Sequence, residues 1–293
     1  MSGRSTAPSS ARSRKIFRLT GEIGNDLILE LELMALALAT GIMDATTFSD
    51  YHVFVSNQTG NTALLAVGAL GLGGNLVKLP NIGVSLGVFI AGGFILGQIG
   101  NALGCRRRLW LIATNLFQTA LVAVATALRW RYPTTDGTPG ALGVLALLAF
   151  ASGGQIAVAR KVNVPEITTA MVTSAYIDLL IDSRLFNQGN RPRDRRFFFI
   201  CMLLLGSFIG ATADRFYNSA LALLLCAVCK LATTVAFLTN AEATYNEKPA
   251  GAKKCMEHAI LAANGLPEAV DAERLTLTAR SSLTVRSVNS APP

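Results

Sequence analysis

The stretch that decides the fold is LELMALALATGIMDATTFSDYHVFVSNQTGNTALLAVGAL, residues 31–70, in which polar groups interrupt apolar sequence. The first interruption is Gly41–Ala45 and the second is Ser56–Asn61. The apolar flanks, residues 27–43 and 62–72, are compatible with helices in lipid, so these polar groups would lie at or near membrane depth. Polar groups at that depth are costly unless another part of the protein satisfies them, which makes them candidate site residues.

Composition predicts a membrane protein. The chain has 293 residues, of which 51% are hydrophobic and 15% are charged, and its mean hydropathy is +0.44. A soluble domain carries about 25% charged residues, and a transmembrane helix needs about 20 apolar residues. Apolar segments of near that length lie at 27–49, 53–72, 79–104, 109–130, 140–159, 165–182, 197–217 and 218–240. The sequence therefore predicts an all-α fold, a polytopic transmembrane helical bundle of six to eight spans.

The net charge of +8 does not indicate a nucleic-acid partner, because no soluble basic face is apparent. Basic residues cluster in the N-terminal tail and in short connections such as Arg106–Arg108. This placement is typical of cytosolic flanks and predicts a cytosolic N-terminus. The lipid bilayer is the expected environment, in the plasma membrane or an organelle membrane.

Three parts are predicted along the chain: a disordered basic tail at 1–26, a transmembrane domain at 27–240 and a mostly disordered polar tail at 241–293. The transmembrane domain divides into two weakly similar halves, 27–130 and 140–240. Repeated halves are a common plan for transporters, with a binding site near the midplane between them.

The similarity between the halves rests on a few positions. Gly153 matches Gly41, and Thr173 matches Thr59 after a two-residue insertion. The alternative is coincidence among small residues, which membrane helices favour in any case. Pairs of glycines four residues apart also predict close helix packing and leave a homo-oligomer open: Gly83 with Gly87, Gly93 with Gly97, Gly100 with Gly104 and Gly206 with Gly210.

Charge placement leaves two topologies open. If all eight apolar segments cross, Arg106–Arg108 and Arg160-Lys161 fall outside. If 53–72 and 165–182 dip into the membrane and return, both basic clusters become cytosolic and the two halves are inverted. Residues 53–72 are nevertheless apolar enough to cross.

The polar interruptions supply the candidate substrate-binding residues. Asp44 is an acid within an apolar helix, so it either couples protons or contacts a cation, or it caps the element that follows. Asn57–Asn61 either form a broken helix that exposes polar groups to a ligand or make interhelical hydrogen bonds alone. The complete set is Asp44, Asn57, Gln58, Thr59, Gly60, Asn61 and, in the second half, Gln155, Thr169 and Thr173.

Other polar residues could line the same cavity. Asn115 and Gln118 share one helix face, as Asp178 and Asp182 do. The two acids could share a proton or bind a cation, or Asp182 could pair with Arg184. Gln98 and Asn101 lie late in the third apolar segment.

The combination of G-x-x-D-A at 41–45, a short link with Phe54 and Q-T-G-N at 58–61 resembles the YoaK-like family. These are bacterial and fungal membrane proteins classed as a domain of unknown function. The resemblance covers about 27–240 and is weaker in the second half, where Ile156 stands at a position typical of Asn. It implies an integral membrane protein and supplies no activity.

Enzyme function is not expected. The chain has two histidines and lacks the nucleophile, phosphate-loop and dinucleotide motifs, so no catalytic residue, metal or cofactor is predicted. The leading hypothesis is a transporter for a small solute or ion. The alternative is a membrane scaffold or lipid-interacting protein whose polar motifs only hold helices together.

Overall fold

The computed structural model describes residues 21–132 and 138–240; the predicted tail at 241–293 and residues 1–20 lie outside that part. The described chain is all-α, as predicted. Its helices are α1 (Leu27–Tyr51), α2 (Gln58–Ala69), α3 (Leu79–Leu103), α4 (Arg108–Arg131), α5 (Pro139–Lys161), α6 (Val172–Leu180), α7 (Arg191–Phe216) and α8 (Ser219–Ala236), with a 3₁₀ turn at Gly74–Leu76.

The order of helix lengths in α1–α4, which is long, short, long and long, is repeated in α5–α8. The short helices α2 and α6 have 12 and 9 residues. At about 1.5 Å per residue they reach roughly 18 and 14 Å, well short of a hydrocarbon core of about 30 Å. Five helices in the described ranges, α3, α4, α5, α7 and α8, are long and apolar enough to cross a membrane. With 25 residues, α1 is as long as these, but it carries Glu30, Glu32 and Asp44.

The chain around the short helices explains why the predicted segments were longer. Residues 52–57 form a turn rather than helix, so α2 begins only at Gln58. By contrast, α7 is longer than predicted, because it begins at Arg191, six residues before the predicted apolar segment. The Asn190 side chain accepts a hydrogen bond from the Arg193 N–H, and Pro192 occupies the first turn, so a charged sequence starts the helix.

Parallel pairs of long helices form the body of the bundle, and glycines bring them together. In the first pair, α1 packs against α7. A Cβ at Gly41 would overlap the Leu203 carbonyl, and one at Gly206 would overlap the Leu38 carbonyl. Missing side chains therefore allow direct backbone contact, as small residues do in membrane helices.

The second parallel pair is α3 with α5, and its contacts have the same form. A Cβ at Gly153 would overlap the Phe89 carbonyl, and one at Gly92 would overlap the Phe150 carbonyl. The remaining long helices, α4 and α8, pack against each other and against α5 and α1 respectively. Of the predicted glycine pairs, Gly206 and Gly210 make this backbone contact, whereas Gly83 and Gly87 have nothing within 4 Å; Gly41 and Gly153 pack in the same way without having been predicted to.

Ion pairs lie at both ends of the bundle. At one end, here called the basic end, Arg195 on α7 contacts Glu30 on α1 at 2.6 Å and Glu166 at 3.2 Å. At the opposite end, here called the Asp50 end, Arg129 on α4 contacts Asp50 on α1 at 3.1 Å. Opposite charges thus join helices that are distant in sequence at each end.

Residues 21–26, assigned above to the disordered tail, pack at the basic end. Ile23 is buried, and its N–H donates to the Arg106 carbonyl at 3.0 Å. The Arg106 guanidinium in turn donates to the Ile23 carbonyl at 2.7 Å. The membrane domain therefore begins before the first helix.

Candidate functional site

After α1 the chain folds back into the bundle, and Asp44 holds it there. Val53 and Val55 in this turn are buried. The Oδ1 atom of Asp44 accepts the N–H groups of Val55 and Ser56 at 3.1 and 2.9 Å, and Oδ2 accepts the Ser56 hydroxyl at 2.5 Å. Both carboxylate oxygens thus bind the chain's own turn, which favours the interpretation of Asp44 as a residue that fixes the element after α1.

Asn61 holds the other side of the same turn. Its Oδ1 accepts the Phe54 N–H at 3.1 Å, and its Nδ2 donates to the Phe54 carbonyl at 2.6 Å and to Gln58 Oε1 at 2.8 Å. Ser85 on α3 also donates to the Phe54 carbonyl, at 2.6 Å. The Q-T-G-N motif therefore joins the turn, α2 and α3 through hydrogen bonds within the chain.

The other residues of the motif do not add an open site. Asn57 and Thr59 are exposed. A Cβ at Gly60 would lie 3.3 Å from the Phe54 ring, so glycine allows the ring to pack against α2. Phe54 is stacked on Phe48 with ring centroids 4.7 Å apart.

The predicted second-half residues lie in different places. Thr173 is exposed at the start of α6. Thr169 is fully buried in the preceding turn with φ of 64°, and its hydroxyl has no hydrogen-bond partner among the described residues. Only Gln155 lies in a buried polar cluster, and that cluster is separate from the turn around Asp44.

The cluster around Gln155 contains a buried lysine. Lys230, in the middle of α8, is 0% exposed, and its Nζ donates to Gln155 Oε1 on α5 at 2.5 Å and to Gln118 Oε1 on α4 at 3.2 Å. The Gln155 amide nitrogen donates to the Thr40 hydroxyl on α1 at 2.9 Å and to the Leu36 carbonyl at 3.3 Å. Both glutamine amides are thus held with their oxygens toward the ammonium.

Asn115 fixes the backbone beside the lysine. Its Nδ2 donates to the Lys230 carbonyl at 3.0 Å and to the Thr234 hydroxyl at 2.8 Å. The Gln118 amide nitrogen donates to the Thr114 hydroxyl at 3.3 Å. Four helices supply this group, called the Lys230 cluster below: Thr40, Thr114, Asn115, Gln118, Gln155, Lys230 and Thr234.

The charge of Lys230 has no contacting counter-charge among the described residues. In residues 21–132 and 138–240 no carboxylate oxygen lies within 4.0 Å of its Nζ. Burying an unpaired charge costs several kcal/mol, and charged residues inside membrane spans mark functional sites by default. Sequence reasoning missed this residue, although Lys230 is the lone charge in the apolar segment 218–240 and the argument applied to Asp44 would have identified it.

A small cavity adjoins the Lys230 cluster on the side of the basic end. Its free volume is about 10 Å³, which is on the order of one water molecule. Thr114, Asn115, Gln118 and Gln155 form its polar wall. The apolar wall consists of Leu33, Leu36, Leu111, Val158, Ala159, Val162 and Phe237.

A larger, open cavity of about 480 Å³ lies at the Asp50 end. The Ser219 hydroxyl bridges two of its acids, at 2.8 Å from Asp50 and 2.7 Å from Asp214. Arg129 and Trp130 complete the wall. The larger cavity thus lies at the Asp50 end, and the small cavity lies on the side of the Lys230 cluster that faces the basic end.

The remaining polar candidates lie away from both clusters. Gln98 and Asn101 contact each other at 3.3 Å on an exposed face. Asp182 lies beyond the end of α6, accepts the Arg184 N–H at 2.9 Å and pairs with Arg196 at 3.5 Å. The Arg184 N–H is the main cause that holds the pKa of the Asp182 carboxyl below its usual range.

Comparison with known proteins gives one match. The family model described as "Protein of unknown function (DUF1275)" matches residues 33–236, from α1 to the end of α8. No curated protein and no solved structure matches the chain. The matched range includes Asp44, Asn61 and Lys230, so it contains both polar clusters. The chain is therefore an integral membrane protein of the DUF1275 family, consistent with its resemblance to the YoaK-like proteins.

Proposed function

We propose that this protein transports a small solute across the membrane and that the Lys230 cluster is its binding site. The observation that carries the proposal is a fully buried ammonium, without a carboxylate partner in the described chain, where α1, α4, α5 and α8 meet. Discontinuous helices and a central polar site between repeated halves are typical of secondary transporters.

The packing contacts support two repeated halves. The same chain offset relates Leu38 to Phe150 and Gly41 to Gly153, and all four make the backbone contacts described above. An offset two residues larger relates Phe89 to Leu203 and Gly92 to Gly206, in agreement with the two-residue insertion predicted between the halves. In this arrangement α1 of one half packs on α7 of the other, and α5 packs on α3.

The Lys230 cluster lies where the two halves exchange contacts. By the offset that relates Gly92 to Gly206, Asn115 on α4 corresponds to Cys229 on α8, the residue before Lys230. Each carbonyl accepts the hydroxyl of the threonine four residues later, Thr119 at 2.7 Å and Thr233 at 3.0 Å. Asn115 also contacts Lys230 directly. A ligand bound here would therefore contact both halves, as alternating access requires.

The short helices support the six-span topology. If α2 and α6 dip in and return, the basic clusters at Arg106–Arg108 and Arg160-Lys161 lie at the same end as Arg191 and Arg195. The positive-inside rule then assigns this basic end to the cytosol, with the N-terminus. Three crossings in each half make the halves inverted.

Alternating access requires parts of this bundle to move relative to one another. The glycine-packed pairs α1 with α7 and α3 with α5 would move as units against α4 and α8. Breaking the Arg195–Glu30 ion pair would open the basic end, and breaking the Arg129–Asp50 ion pair would open the Asp50 end.

A different observation favours the scaffold hypothesis: the hydrogen-bonding groups of Asp44 and Asn61 are satisfied by the chain itself.

Solvent accessibility of the cluster separates these functions. Thr114→Cys would be introduced after all five native cysteines are replaced, and a membrane-impermeant thiol reagent would be added from either side. A transporter exposes this buried position to each side in turn, so labelling from both sides is expected. Ser183→Cys, in the exposed α6–α7 connection, and the lipid-facing Leu116→Cys serve as accessible and inaccessible controls. A Thr114→Cys protein protected from both sides would support the scaffold.

A further inference from the structure

We propose that the Lys230 cluster binds a small monovalent anion of about the size of chloride; this inference rests on the proposed function and names its substrate class. The cluster contains a positive charge and donors that are not fully used, and it adjoins a small cavity.

The first argument is charge. The groups that face Lys230 from the neighbouring helices are the neutral amides of Gln118, Gln155 and Asn115, and α1 contributes the Thr40 hydroxyl behind Gln155. Two amide oxygens solvate an ammonium but do not neutralise it. Coulomb attraction is strong at low dielectric, so an anion within contact distance offsets much of the desolvation cost.

The second argument is the inventory of donors. An ammonium has three N–H groups, and Lys230 uses two of them, on Gln118 and Gln155. The Thr114 hydroxyl accepts from Gln118, while its own hydrogen has no acceptor among the described residues. Thr114 lines the small cavity beside the cluster. Lys230 itself does not line that cavity, so an anion that contacts both donors would lie between the cavity and the ammonium, beside the amides of Gln118 and Gln155.

The third argument is size. The small cavity has about 10 Å³ of free volume and an apolar wall on the side facing away from the cluster. This volume only just reaches the minimum for one water, and chloride is larger than water. A small displacement of the wall would therefore admit chloride, whereas a polyhydroxylated carboxylate would need a far larger one. Chloride and gluconate are therefore suitable as binding and non-binding probes.

The test is thermal unfolding of the purified full chain in chloride or in gluconate at equal ionic strength. Chloride is expected to raise Tm by roughly 5 °C over gluconate if it is present well above its Kd. Lys161→Met removes a lysine from the exposed end of α5 and should keep this response. Lys230→Met should lose it.

A second variant keeps the test decisive if Lys230→Met does not fold. Gln118→Glu places a carboxylate 3.2 Å from the ammonium with little change in shape, and it should replace the anion and abolish the chloride response. An equal chloride response in wild type and Gln118→Glu, or no difference between chloride and gluconate in wild type, would overturn the proposal.

Flux measurements distinguish this inference from the proposed function. Chloride-dependent stabilisation that requires Lys230, without solute flux in proteoliposomes, would leave the anion site in place and refute transport. Flux of another solute, without any chloride response, would refute the anion site and leave transport in place.

Discussion

The Nζ atom of Lys230 on α8 lies 2.5 Å from Oε1 of Gln155 on α5, a contact that joins the last helix of the second half to its first. Gln155 is itself fixed by its hydrogen bond to Thr40 on α1. Lys230 is fixed by Asn115 on α4, whose side-chain amide donates to the Lys230 backbone carbonyl. A displacement of any one of these helices would therefore change the surroundings of the ammonium. This coupling makes the cluster suited to respond to helix movement.

Gln155→Leu should lower the free energy of unfolding by about 1–3 kcal/mol, because it leaves the buried ammonium with one acceptor. Adding Lys230→Met should recover much of that loss, since an apolar pair replaces a strained polar one. A double-mutant cycle from denaturant unfolding in gluconate measures the coupling. Additive effects of the two substitutions would contradict the contact.

Asp44→Asn should destabilise the protein by about 1–3 kcal/mol, because a neutral amide oxygen is a weaker acceptor for the Val55 and Ser56 N–H groups and an amide nitrogen would replace the oxygen that accepts the Ser56 hydroxyl. The matched control is Asp178→Asn, which changes an exposed acid on α6 and should leave Tm unchanged. If Asp44→Asn keeps full stability but abolishes flux, Asp44 belongs to the transport site and its role in the turn is secondary.

Gly41→Ala and Gly206→Ala should each destabilise the bundle strongly, because a Cβ at either position overlaps the backbone of the partner helix. Gly83→Ala adds a methyl group where nothing lies within 4 Å, so it should be neutral or stabilise by about 0.5–1 kcal/mol through helix propensity. Thermal unfolding of the three variants checks this. Equal Tm values would show that α1 and α7 do not pack through these glycines.

Arg129→Gln should increase access to the Lys230 cluster from the Asp50 end, because it removes the ion pair with Asp50 between α4 and α1. The expected result is faster labelling of Thr114→Cys from that side of the membrane only. Arg131→Gln, which removes an exposed charge two residues away, is the control and should not alter the rate. Faster labelling from both sides would indicate general loosening instead.

Sequence alone predicted the all-α membrane fold because long apolar segments leave few alternatives. It could not fix the length of the short helices, since buried turn residues such as Val53 and Val55 are as apolar as helix residues. Nor could it find the start of α7 at Arg191, whose charged first turn depends on a partner, Glu30, distant in sequence.

The candidate site was predictable only in part, because the pattern does not show which polar groups satisfy one another. Asp44 and Asn61 were singled out as polar groups within apolar sequence, but their partners include backbone atoms of a turn that the sequence does not specify. Gln155 was included among the candidate site residues, but Lys230, which donates to its side-chain oxygen, was not. Lys230 was overlooked, although it is a single charge inside an apolar segment, as Asp44 is.

The most direct test of the account is chloride flux into proteoliposomes that contain the purified full chain and an internal halide-sensitive dye. Wild type and Lys161→Met should both carry chloride down its gradient, and Lys230→Met, folded and reconstituted to the same density, should not. Equal flux with Lys230→Met, or no flux from folded wild-type protein, would contradict a transport site built around Lys230.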